Sequence, residues 1–134
     1  MQIRLRSTIE TRLMNTDHEI DYTNRTVLIT ITGGMTDTEL LGLGDLLAQL
    51  PGVRSDFSVL FDLRFANGLK ITSLGVRAAA TRPLVLSPES RRGIIVPSAL
   101  GYGMARMYQL FRGERTTRVF TDYDRARRWV ETGQ

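Results

Sequence analysis

The chain of 134 residues contains no cysteine. Neither a disulfide framework nor thiolate chemistry is open to it. It has a single histidine, His18, so it lacks the ligands of a structural zinc site. His18 falls in a polar segment expected to be exposed, and no nucleophile is placed to complete a serine–histidine triad. No carboxylate spacing points to an oxygen-ligand metal site. No metal, cofactor or catalytic residue is expected. Lysine is nearly absent too. Lys70 is the only one, and every other basic residue is an arginine, which lifts the isoelectric point to about 10.1 at a net charge of +4. These arginines are scattered, and near the C-terminus they alternate with Glu114, Asp122, Asp124 and Glu131. That pattern describes a solvated surface rather than a nucleic-acid tract. No apolar run approaches the ~18 residues of a membrane span. Arg4, Arg6 and Arg12 interrupt any apolar leader. A cytoplasmic location is therefore expected, and Asn24-Arg25-Thr26 reads as a turn rather than a glycosylation site.

What is present suits one domain over residues 1–134, with 42% hydrophobic and 24% charged residues. Residues 1–14 alternate, with Ile3, Leu5 and Ile9 on one side. Asn15-Thr16-Asp17 reads as a break and 18–22 as a short strand. Thr26–Thr32, rich in β-branched residues, reads as a buried strand that Gly33-Gly34 ends. Residues 1–32 thus form antiparallel strands, and 33–134 form strand–helix units. Thr36 and Glu39 make a capping box for a helix carrying Leu40, Leu43, Leu47 and Leu50. Gly42 and Gly44 in that helix suggest a close approach to the sheet. Later units pair residues 93–97 with a helix from about Ser98 to Arg112, closed by Gly113. Residues 116–121 then lead to a last helix whose inner stripe is Ala126, Trp129 and Val130. The fold class is α/β: a single mixed sheet, antiparallel at its N-terminal edge and parallel in the centre, with about four helices.

The chemistry concentrates in 57–82. An apolar strand ends at Asp62, a polar loop carries Arg64, Asn67 and Lys70, and Thr72-Ser73 open a helix. Ligands of open α/β sheets gather at such strand ends. Ser73 and Thr72, with Arg64, Lys70 and Arg77 nearby, form a candidate partner-binding or phosphate-binding group. The same residues also read as an ordinary helix cap. Asp62 reads as an ion-pair partner for Arg64 or Arg77. Met104, Met107, Tyr108 and Phe111 share one helix face and are candidates to line an apolar pocket against Ala78–Ala80, or simply to pack the core. The glycines of Gly101-Tyr102-Gly103 are read as helix packing rather than a dinucleotide fingerprint, because Arg106 replaces its third small residue.

The order of elements and the Thr72-Ser73-Leu74-Gly75 helix start resemble the STAS and SpoIIAA-like domains. VLFDLR at 59–64, PSALGYGMARM at 97–107 and Ala126-Arg127-Arg128-Trp129-Val130 look closest to the SpoIIAA-like branch, which is grouped with SEC14-type lipid-binding domains. In the antagonists of that group a partner kinase phosphorylates a serine in a pattern resembling Asp-Ser-Ser-Gly. Ser73 matches the acceptor and Gly75 the glycine. Thr72 stands in place of the aspartate and Leu74 in place of the second serine. The resemblance implies a non-enzymatic domain that binds a protein partner. The alternative is a small apolar or lipid-like ligand between the second and third helices, in a cavity of about 300 Å³ or more. An antiparallel edge at residues 1–14 also suggests a homodimer.

Overall fold

The computed structural model describes residues 2–8, 14–97, 99–112 and 115–134. Six strands form one sheet in sequential order: β1 (Gln2–Thr8), β2 (Met14–Asp21), β3 (Thr26–Thr36), β4 (Ser58–Lys70), β5 (Arg92–Ile95) and β6 (Thr117–Phe120). β1, β2 and β3 pair antiparallel, and β3 through β6 pair parallel. The mixed α/β architecture expected from sequence is the one observed. The burial expected of Ile3, Leu5 and Ile9, the helix start at Ser98 and the cap at Gly113 lie outside the described residues and side chains.

Successive right-handed crossovers that step in one direction place their helices on one face. Accordingly α1 (Asp37–Gln49), α2 (Ser73–Thr81) and α3 (Ala99–Arg112) form one layer, each packed on the next. Helix α4 (Tyr123–Thr132) covers β4, β5 and β6 from the other side. Strand alternation sorts the core between the layers. Ile29, Ile31, Val59, Leu43 and Leu47 cluster under α1, and Ile94, Val96 and Ala105 under α3. Leu60 and Ile95 meet Ala126, Trp129 and Val130 of α4.

Several boundaries differ from the sequence reading. Residues 15–17 belong to β2 and do not break it. β3 runs through Gly33-Gly34 to Thr36, with register shifts at Thr30/Thr32 and Gly33/Met35. Gly33 takes φ 77°, which a β-carbon would disfavour. The loop expected from Arg64 to Lys70 is strand, because the extended β3 supplies its partner as far as Thr36↔Lys70. Asp62 still marks an end, since pairing of β4 with β5 stops there. A β-carbon on Gly42 would meet nothing within 4 Å, and one on Gly44 would meet Leu84, 3.1 Å away, in the segment after α2. Neither glycine marks a close approach to the sheet. Among the described residues no helix is long and apolar enough to cross a membrane.

Candidate functional site

Thr72, rather than Ser73, caps α2. Its hydroxyl accepts from the Gly75 N–H at 3.0 Å. The same hydroxyl donates to Asp37 Oδ2 at 2.6 Å, and the Thr72 N–H donates to Asp37 Oδ1 at 2.8 Å. Asp37 opens α1, so one carboxylate ties the starts of two helices together. These bonds from the Thr72 hydroxyl and N–H hold the Asp37 carboxyl below the usual carboxylate range. A β-carbon on Gly75 would collide with that carboxylate. Sequence reasoning missed Asp37 because it lies 35 positions from Thr72. The only local signal was an acidic residue in a first turn, which has an ordinary reading as dipole compensation.

Ser73 is exposed, and so is Leu74, with 79% of its surface accessible. Arg77 lies one turn on, also exposed, with its guanidinium 5.7 Å from the centroid of the Phe111 ring. Arg64 does not join them. Its guanidinium lies over the Tyr123 ring of α4 at 4.7 Å and pairs with Asp62. The pair is bidentate: Nε donates to Oδ1 at 3.0 Å and Nη2 to Oδ2 at 2.8 Å. The Arg64 N–H also donates to Oδ1 at 3.0 Å. The bond to Asp62 raises the Arg64 pKa against the opposing effect of burial. The anion group expected from Ser73, Arg64 and Arg77 is therefore divided between the two faces of the sheet. Asp62 takes its expected ion-pair role, with Arg64 and not Arg77.

An apolar cleft of about 90 Å³ lies among α1, α2, α3 and the sheet. Met104 and Tyr108 line it together with Ala79, Val76, Leu63 and Leu69. Phe111 is 42% exposed and lies beneath Arg77, and Met107 is half-buried and also outside the lining. The cleft is smaller than the volume expected for a lipid-like ligand. Gly103 is exposed and a β-carbon there would meet open space, so helix packing does not explain it.

His18 is 2% exposed, contrary to the sequence reading, because β2 turns Thr16, His18 and Ile20 to the same buried side. Among the described residues its Nε2 meets no hydrogen-bond partner. Burial lowers its pKa, and the neighbouring Asp17 opposes the shift. Among the described residues no group of three metal-ligating side chains converges.

No family profile matches the chain, and none of the curated proteins matches it. A solved structure does: an uncharacterised protein of the DUF3478 family with a SpoIIAA-like fold from Shewanella loihica PV-4. It is 15% identical, with a TM-score of 0.52 over 97% of this chain and 95% of that one. The chain has a SpoIIAA-like fold.

Proposed function

We propose that the chain is a non-enzymatic binding domain that engages a protein partner through the start of α2 and the residues beside it, 64–77. One observation carries the reading. Ser73, Leu74 and Arg77 are presented to solvent on a helix whose first turn is tied to α1 through Asp37. An exposed leucine on a tethered frame loses little conformational freedom when covered, and this lowers the cost of association. Phosphorylation of Ser73 would add about two negative charges beside the Asp37–Thr72 bonds, opposing both the contact and the tie. Site-specific photo-crosslinking in cells tests the proposal. A crosslinker replacing Leu74 is expected to give a discrete protein adduct that one replacing Gln49, exposed at the end of α1, does not. Identical patterns at the two positions would refute it.

The apolar cleft supports a second reading, a small apolar ligand of a few carbon atoms. Its lining by Met104, Tyr108 and Ala79 at a volume of about 90 Å³ favours this over a long-chain lipid. Titration with benzene, followed by methyl NMR of Met104, should shift that signal in the wild type and not in Ala79→Leu. Absence of any shift in the wild type removes the reading.

A further inference from the structure

We infer that the outer face of α2 and α3 docks an acidic protein segment anchored by apolar side chains. This rests on the protein-binding reading above and names the chemistry of the partner. Beyond Ser73, the exposed positions of α2 are Leu74, Arg77, Ala78 and Thr81, spaced as one helical stripe. On α3 they include Tyr102, Arg106 and Leu110 at intervals of four. The two helices meet where Arg77 lies over the ring of Phe111, the residue after Leu110, at 5.7 Å. Leu74 and Leu110, 79% and 69% exposed, are the most exposed large apolar residues of the chain's described part. Two adjacent, mutually packed helices thus each expose a leucine further than any other element of the described part exposes a large apolar residue.

Charge identifies what covers it. Neither α2 nor α3 contains an aspartate or glutamate, and residues 63–112 hold one acidic residue, Glu89, against eight basic ones. Among the described residues no carboxylate pairs with Arg77 or Arg106. Arg77 lies over the Phe111 ring at 5.7 Å and is exposed, so its fork can take a carboxylate in a bidentate pair. A second copy of the chain is a poor occupant, because its acidic helix α1 exposes Thr38, Asp45, Ala48 and Gln49 and no large apolar residue. An anionic bilayer is also disfavoured. Helix α1 lies in the same layer, and a plane broad enough to cover α2 and α3 would meet Asp37 and Asp45. A single amphipathic segment confined to α2 and α3 meets Asp37 only at the α2 start, where Thr72 already binds its carboxylate.

Selection from a display library of random linear peptides, with the purified chain as bait, tests this. Enriched peptides should combine aspartate or glutamate with leucine, phenylalanine or tryptophan. Anisotropy titrations of those peptides should show binding weakened about tenfold by Arg77→Glu or Arg106→Glu, and further by added salt. Arg54→Glu, remote from the face, should leave affinity unchanged, and all three variants should unfold at the wild-type temperature. Enrichment of neutral or basic peptides, no enrichment, or indifference to both reversals overturns the inference. So does Arg77-dependent retention on phosphatidylserine vesicles, which would make the face a membrane contact. In any of these cases the broader protein-binding reading is judged separately by the crosslink at position 74.

Discussion

Replacing Arg64 with methionine isolates what the Asp62 pair contributes. The Asp62 side chain is 2% exposed and that of Arg64 34% exposed. Removing the guanidinium leaves a carboxylate out of water, with the Arg64 N–H still donating to Oδ1. Breaking a fully buried pair costs about 3–5 kcal/mol. Partial exposure of Arg64 and the surviving backbone bond place this case at about 2–3 kcal/mol. In a chain of this size that lowers the thermal midpoint by about 10 °C, or the urea midpoint by about 1 M. Asp62→Asn combined with Arg64→Met should be more stable than Arg64→Met alone, because no charge is then stranded. Urea melts of the two single variants and the double at pH 7 complete the cycle. A loss at pH 7 under about 0.5 kcal/mol, or strict additivity of the two substitutions, would refute the reasoning.

Three further outcomes are expected. His18 has a pKa lowered by burial, so folding excludes its proton. Stability should be full above the unfolded value of about 6.5 and fall as pH drops below it, by at most about 1.4 kcal/mol per pH unit. His18→Leu should flatten that limb of a urea-midpoint profile, and an unchanged limb would exclude the histidine as its source. Gly75→Ala should push the Asp37 carboxylate off the α2 start and speed amide exchange at Val76, whose N–H donates to the Thr72 carbonyl. Adding Asp37→Ala should recover part of the lost melting temperature, and failure to do so would mean that the collision is not the cause. Arg92 is 1% exposed and donates to the carbonyls of Ser90, Leu86 and Ser87. Arg92→Met should cost about 3 kcal/mol and deprotect the 86–90 segment in hydrogen exchange. Unaltered exchange there would show that the carbonyls find other donors.

The features legible in the sequence were those whose physics is local. The Thr36–Glu39 capping box is present with both of its bonds, since a cap needs only residues three apart. The stripe of Ala126, Trp129 and Val130 faces the sheet as its spacing required. Met104 and Tyr108 do adjoin Ala79 of α2 across a cleft, because helix periodicity fixes which side chains share a face. What escaped was set by partners distant in sequence. Residues 64–70 are polar enough to read as loop, and only the matching extension of β3 makes them strand. The carboxylate that Thr72 binds belongs to Asp37, which no motif confined to 72–75 would reveal. His18 and Arg64 were assigned to surroundings by polarity, whereas strand alternation sent one into the core and the other toward α4.

The order of the sheet has a bearing on how the chain assembles. Every strand hydrogen-bonds only to its neighbours in sequence, from β1 to β6. During synthesis each new strand can therefore add to the growing edge, with no earlier pair opened to admit it. Loop closures stay short, which keeps their entropic cost low. Only α4 departs from that progression, returning across β4 and β5 to cover Leu60 and Ile95. One face of the sheet thus stays open until α4 has emerged, and the arrival of that helix decides when Leu60 and Ile95 are withdrawn from water.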